Sequence, residues 1–353
     1  MSVQAKVPAS SSPFGLYLHV PFCASACDFC AFYQEAPHRQ DIDRYLDALE
    51  QEAHWWRSQP GWRAPRTVFW GGGTPGLLPA RDLRRLGRLT RYLCEGQPVE
   101  WTVEMAPSAV KPDKLAALRE AGVTRISLGV QSFDDALLDK LGRQHSRAQV
   151  MRAWERVRPA GFPVVNIDLM FALPGQDEAA LRADLEQALA LVPDHISTYC
   201  LTFEEDTKLW VQLSRGQVRR DLSTEERLYA CTWDVLRAGG YAHYEVSNFA
   251  RESGKGDNRC LHNLNTWRMH EWAGLGPSAA SQFAGRRFAN AASLDAWQAG
   301  LEAGAPTHVD CIELDAATLA ADVLIFGLRM RAGVDMAELG ERTSVAVSYI
   351  GKV

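Results

Sequence analysis

Nowhere do the 353 residues hold a run of about 18 apolar side chains, the length a helix needs to span a bilayer. The opening stretch, MSVQAKVPASSSP, lacks the apolar core of a secretion signal. The two absences together predict a soluble, cytoplasmic protein. An excess of basic charge is missing as well. With Lys+Arg at 38 and Asp+Glu at 43, the formal net charge is -5, so no global field draws in nucleic acid or an acidic membrane. The one basic stretch, RDLRRLGRLTRY at residues 81–92, spaces Leu83, Leu86 and Leu89 as a helix does, and its arginines read as a solvated face. Low-complexity tracts are absent. Cysteine is sparse, at eight residues, which excludes a disulfide scaffold for a chain this long. In a reducing compartment those thiols are metal ligands or small buried apolar groups, and the scattered Cys94, Cys200, Cys231 and Cys311 fit the second description.

What remains is ordinary globular material, 46% hydrophobic and 23% charged. Short apolar runs at 16–20, 67–70, 100–104, 125–130, 164–169 and 195–201 alternate with amphipathic stretches such as 41–57, 114–121, 148–158 and 178–191. Repeated βα units predict a parallel sheet with right-handed crossovers, closed into a partial (βα)6 barrel. Chemistry in such barrels gathers in the loops after the strands. The unusual motifs fall there: Cys23 to Cys30 after the first strand, GGGTP after the second, Glu104 at the end of the third, GVQS at the fourth, and Asp168 with LPGQ at the fifth. One shared site is expected.

Cys23, Cys27 and Cys30 are spaced C-x3-C-x2-C in a loop just behind a strand. Structural zinc would ask for a fourth ligand, from His19 or a distant residue. Three thiolates alone suit a [4Fe-4S] cluster with one iron left open. The glycines of WGGGTP let a backbone approach a ligand closely.

With these motifs the sequence resembles the radical S-adenosylmethionine (SAM) superfamily, in which CxxxCxxC is paired with GGGTP after the second strand. Within it, the phrases YLHVPFC, ISLGVQSFDDALLDKLGRQHS, NIDLMFALPGQ, YEVSNFA and CLHNLNTW resemble the branch of oxygen-independent coproporphyrinogen III oxidases and HemW-type haem chaperones, over about residues 15–345. The resemblance implies that Cys23, Cys27 and Cys30 ligate three irons while SAM chelates the fourth. It places Phe29 near the adenine, Tyr17 beside the cluster, and Gly72, Gly73 and Thr74 along the methionine end. Glu104, Gln131, Arg143 and Asp168 match further SAM contacts, with Arg143 suited to a carboxylate and Asp168 or Gln131 to ribose hydroxyls. Cys200 falls close to an adenosine-lining position. His19 is expected to hydrogen-bond the cysteine loop and His145 to orient Arg143.

The branch holds both an enzyme and a carrier, so whether the chain is an enzyme stays open at this point. In the oxidase a 5′-deoxyadenosyl radical starts the decarboxylation of porphyrinogen propionates to vinyl groups; in the chaperone the scaffold binds haem as cargo and delivers it. Three features favour the chaperone: Phe32 where the oxidase carries a further cysteine, only a short stretch before the first strand, and an HNxxYW-like motif in His262, Asn263 and Trp267, with Thr266 in place of tyrosine. His262 is then the expected haem ligand. The partners implied are haem or a porphyrinogen, acceptor haem proteins, an electron donor and, through the acceptors, peripheral contact with a membrane. The chain is expected to divide into a tail at 1–14, the barrel at 15–215, a barrel-associated extension carrying the HN motif at 216–310, and a small, shortened winged-helix-like helical domain at 311–353.

Overall fold

The computed structural model describes residues 13–252 and 256–343. Most of the expected tail and the last residues of the expected C-terminal domain lie outside them. The six expected strands are present as β1 (Gly15–Val20), β2 (Thr67–Gly72), β3 (Glu100–Met105), β4 (Arg125–Gln131), β5 (Val164–Phe171) and β6 (His195–Cys200). They lie side by side in chain order, and every neighbouring pair is parallel. Most of their side chains are buried, apolar ones toward the helices and, on β4 to β6, polar ones at every second position toward the inner face.

Helices α1 (Arg39–Ser58), α2 (Ala80–Cys94), α3 (Pro112–Ala121), α4 (Asp135–Lys140), α5 (Arg147–Val157) and α6 (Glu178–Leu191) occupy the crossovers. In α2 the leucines at 83, 86, 89 and 93 are buried, while Arg84 pairs with Glu120 of α3 at 2.6 Å and Arg85 with Asp47 and Glu50 of α1 at 2.7 and 2.8 Å. The basic stretch is therefore a surface that ties helices together. The core between sheet and helices holds Trp56, Trp70, Trp101 and Trp297, with the Trp70 and Trp101 rings edge to face at 5.2 Å.

Beyond residue 215 the sequence pattern suggests a helix over 224–238, which is present, and then an ordered loop region over 241–281, where the structure differs. After α7 (Lys208–Ser214) and α8 (Leu222–Ala238) come β7 (Tyr241–Glu245), β8 (Asn248–Arg251), α9 (Leu261–Trp267), β9 (Trp272–Leu275), β10 (Ala280–Phe283), β11 (Arg286–Asn290), α10 (Leu294–Glu302) and β12 (His308–Glu313), then α11 (Ala316–Gly327) and α12 (Met336–Thr343). The additional strands extend both edges of one sheet, in the order β12-β11-β10-β9-β1-β2-β3-β4-β5-β6-β8-β7. Most of them have only four or five residues, and bulges interrupt β7 and β11. Such strands are too short and irregular to show a period of two in sequence.

The described part of α9 plugs the end of the barrel where the strands begin. Glu100, the first residue of β3, accepts the backbone N–H groups of Leu261 and His262, each at 2.9 Å, and so caps the helix from below. Arg125 at the start of β4 donates from Nη1 to the Asn258 carbonyl at 2.9 Å. Above this floor the concave face of the sheet opens into a cavity of about 780 Å³, with lining residues from the loop after β1, from β2 to β6, from β8 and from the start of α9.

Candidate functional site: a three-thiol loop at the mouth of the barrel

The cysteine loop is held at several points. Cys23 N–H donates to the Glu35 carbonyl at 2.9 Å and Asp28 N–H to the Leu141 carbonyl at 3.0 Å, while Lys208 Nζ reaches the Asp28 carboxylate at 2.9 Å. His19 Nε2 meets the Tyr33 carbonyl at 3.1 Å, which fixes the proton on Nε2 and leaves Nδ1 to accept from the Tyr17 hydroxyl at 3.2 Å. His19 thus hydrogen-bonds the cysteine loop as its position suggests, and burial keeps its pKa below the ordinary value.

Cys23, Cys27 and Cys30 are free thiols of intermediate exposure that line the cavity. Burial pushes the Cys23 and Cys30 thiols up, and the nearby Arg143 guanidinium opposes it. Arg143 Nη1 lies 3.1 Å from Cys27 Sγ. Among the described residues no three His, Cys, Asp or Glu side chains converge as one metal ion requires. A cubane cluster does not need that convergence, because each thiolate binds a different iron.

Two glycines explain how the second strand comes so close. Gly73 N–H donates to the Val20 carbonyl at 2.9 Å, and a Cβ on Gly73 would sit 2.8 Å from the Phe22 carbonyl oxygen. Gly72 has φ +102, and a Cβ there would strike the His19 ring at 2.5 Å. Any side chain at either position would push β2 away from the cysteine loop. Thr74 follows, its Oγ1 3.7 Å from Cys23 Sγ.

The other walls carry the charge. Arg143 donates from Nη2 to the Gly129 carbonyl at 3.1 Å, but its buried Nε has no partner in the protein. An orphaned guanidinium donor beside an open cavity is suited to a ligand carboxylate. Gln131, just past a bulge in β4, is held at φ 69 with its residue against the cavity, a conformation that costs about 1 kcal/mol or more for a non-glycine residue. Glu104 lines the cavity half-buried, and desolvation together with the Asp168 charge raises its pKa to about 8. Burial also raises Asp168, against hydrogen bonds from Ser127, Ser197 and Asn166. Burial and Glu104 push the Tyr17 phenol up.

Of the residues expected at the site, Cys23, Cys27, Phe29, Cys30, Gly72, Gly73, Thr74, Glu104, Gln131, Arg143 and Asp168 line this one cavity. Cys200 also lines it, its thiol pushed up to about 11 by burial. Tyr17 stands behind the lining, bonded to His19. His145 faces the cavity, but its Nε2 bonds the Val130 carbonyl at 3.0 Å rather than orienting Arg143.

His262, the expected haem ligand, is placed apart from the other expected site residues and does not line the cavity. The ring is 6% exposed under the barrel floor, with Nδ1 3.2 Å from Thr67 Oγ1 and its face 5.5 Å from the Phe69 ring. We propose that in this placement the imidazole serves to seat α9 against β2. Its motif neighbours Cys260 and Asn263 do reach the cavity. His262→Ala is expected to lower folding stability by about 2 kcal/mol, through the lost bond and the void, with iron content and haem titration unchanged. Thermal denaturation beside a haem titration tests this; weaker haem binding at an unchanged melting temperature would restore the ligand role.

Sequence reasoning overlooked the barrel lumen. Arg125 and Ser127 on β4, Asn166 on β5, and His195, Ser197 and Tyr199 on β6 all face the cavity, with Ser197 level with Asp168 and Tyr199 one step nearer the mouth. Their signal was available: polar residues recur at every second position in RISLGVQ, NIDL and HISTY.

Comparison with known proteins agrees with this geometry. The Radical SAM superfamily model matches residues 17–188. The heme chaperone HemW of Bacillus subtilis is 34% identical over 330 residues, covering 92% of this chain and 86% of that protein. The heme chaperone HemW of Lactococcus lactis is 35% identical over 328 residues, covering 91% and 83%. Radical S-adenosyl methionine domain-containing protein 1, mitochondrial, of Danio rerio is 32% identical over 340 residues. Among solved structures, coproporphyrinogen III oxidase (HemN) of Escherichia coli superposes with a TM-score of 0.82 over 98% of this chain and 82% of that one, at 23% identity, which speaks for the fold alone. The three-cysteine cavity in a parallel α/β barrel, and relatives a third identical along nearly the whole chain, place this protein in the radical SAM superfamily, where it belongs to the HemW family.

Proposed function

We propose that the chain holds a [4Fe-4S] cluster and SAM in the barrel, binds haem, and delivers it to acceptor haem proteins. The observation that carries the reading is the similarity along more than nine tenths of the chain to proteins named heme chaperone HemW. Cys23, Cys27 and Cys30 would hold three irons, and a reduced cluster bound there supplies an electron to the SAM sulfonium. The chain's own groups do the rest. The unpartnered Arg143 Nε is the donor for the SAM carboxylate, Glu104 and Asp168 accept from its amino and hydroxyl groups, and Thr74 closes the methionine end. The barrel wall, with α9 as its floor, keeps bulk water from the lumen. Phe32, two residues past Cys30, is 65% exposed at the cavity mouth. An aromatic ring there, in place of a thiol, favours docking of a flat macrocycle. Among the described residues no helix is long and apolar enough to cross a membrane, so any membrane contact comes through an acceptor.

The second reading, an oxygen-independent coproporphyrinogen III oxidase, rests on the shared fold. One experiment separates the two. Protein reconstituted anaerobically is titrated with haem, mixed with a haem-free b-type cytochrome, and in parallel given SAM, dithionite and coproporphyrinogen III. We expect stoichiometric haem binding, transfer that shifts the Soret band to that of the cytochrome, and no CO2 release. Vinyl product with CO2, or protein that holds cluster and SAM but takes up no haem, overturns the chaperone reading.

A further inference from the structure

A buried chain of polar groups runs from the SAM cavity to the floor of the barrel. Asn166 Nδ2 donates to Asp168 Oδ1 at 2.7 Å, and Ser127 Oγ donates to Asp168 Oδ2 at 2.9 Å. Asn166 Oδ1 faces His195 Nδ1 at 2.6 Å, and His195 Nε2 faces the Tyr244 hydroxyl at 2.9 Å. That hydroxyl in turn accepts the backbone N–H of Cys260 at 2.9 Å. Asn166 and His195 are 2% and 1% exposed, so water does not substitute for any of these bonds.

One set of proton positions satisfies every bond in the chain: with Cys260 N–H on one acceptor site of the Tyr244 oxygen, the Tyr244 proton goes to His195 Nε2. The imidazole is neutral, held so by burial and by the Arg125 charge, and its single proton therefore sits on Nδ1. An Nδ1–H demands the carbonyl oxygen of Asn166, and that leaves the amide NH2 pointing at Asp168. Asn166 Nδ2 also donates to Ser127 Oγ at 2.6 Å and Ser197 Oγ at 3.0 Å, and its Oδ1 accepts from Ser197 Oγ at 3.3 Å. Both hydroxyls can donate as well as accept, so it is the imidazole donor that favours this amide orientation over the one with its oxygen toward the carboxylate. In that other orientation the Asp168 carboxylate would lose a donor and be pushed out of place.

We propose that His195 and Asn166 are positioning residues that hold the Asp168 carboxylate in the orientation that receives SAM, with Tyr244 setting the histidine tautomer. The inference rests on the reading of Asp168 as a SAM contact. It makes the β5–β6 lumen part of the cofactor site, although neither residue touches the cofactor. It also ties that site to the Cys260 end of the HN segment by hydrogen bonds alone.

The test is a double-mutant cycle on anaerobically reconstituted holoprotein, reading SAM affinity by calorimetry, with iron content and melting temperature measured on every variant. His195→Leu is expected to weaken SAM about fivefold to tenfold at unchanged iron content, and His195→Asn, which returns an N–H toward Asn166, to recover most of that loss. Asp168→Asn is expected to weaken SAM by about tenfold or more. Adding His195→Leu to Asp168→Asn should change affinity by less than about twofold, because the group to be positioned is gone. If His195→Leu fails to fold, Tyr244→Phe runs the same cycle with an expected single loss of about threefold. Equal losses from His195→Leu with and without Asp168, or no loss in a folded single variant, overturn the positioning role while the Asp168 assignment stands. Unchanged affinity in Asp168→Asn overturns both.

Discussion

Cys27→Ser is expected to empty the site of iron. In anaerobically reconstituted protein, iron and acid-labile sulfide should fall by more than about tenfold, and calorimetric SAM binding should vanish with them. The three cysteines contribute little to folding. They are of intermediate exposure, pack in no hydrophobic cluster, and sit in a loop pinned by backbone bonds through Cys23, Asp28 and Glu35. The variant should therefore lose less than about 1 kcal/mol of stability. Losing the ligand without losing the fold is what separates a cofactor site from a structural one. A Cys27→Ser protein that keeps a full complement of iron would sink the assignment of this thiol. A protein that unfolds would show that the loop supports the barrel rather than the cofactor.

The predicted Cys27 result and the site around it could be read from sequence because the site is built from strand ends. Where a strand is buried on both faces its apolar run is visible, and whatever follows it is placed at the barrel mouth by topology. That locates Cys23, Gly73, Glu104, Gln131 and Asp168 together with no knowledge of side-chain contacts. The lumen was less visible. Asn166 and His195 alternate with apolar residues inside strands, a period of two that marks one polar face but not that this face curves around a cavity. His262 shows a different limit: a motif carries no burial, and the Glu100 cap with the Thr67 bond turns the imidazole away from the cavity. The edge strands from β7 to β12 were illegible for a third reason: most have only four or five residues, and bulges in β7 and β11 break their alternation.

On the β9–β12 edge the added strands are tied to α1 by a buried carboxylate, and its removal is expected to have the largest effect on folding. Glu52 on α1 is fully buried and accepts from Gly276 N–H at 2.7 Å, Asn290 Nδ2 at 2.6 Å and Trp297 Nε1 at 3.2 Å. These donors come from the corner after β9, from β11 and from α10. Gly276 lies against the His19 carbonyl, which also accepts from the Tyr45 hydroxyl at 2.8 Å, so the fastening sits directly behind the cysteine loop. Glu52→Ala leaves three buried donors unpaired and opens a void, and should cost about 3–5 kcal/mol in denaturant unfolding.

The pH dependence of this fastening has a definite sign. Burial outweighs the three donors and raises Glu52 from 4.5 to about 8. Between those values the folded state binds the proton and the unfolded state does not, so stability is fullest below 4.5 and is lost as pH rises through about 8. Glutamine at this position does not titrate. The stability of cluster-free wild type relative to Glu52→Gln should accordingly fall as pH is raised from about 5 to about 8. A difference that stays flat across that range would mean that the three donors hold Glu52 ionised, while an Ala variant within about 1 kcal/mol of wild type would mean that the edge strands are held by packing alone.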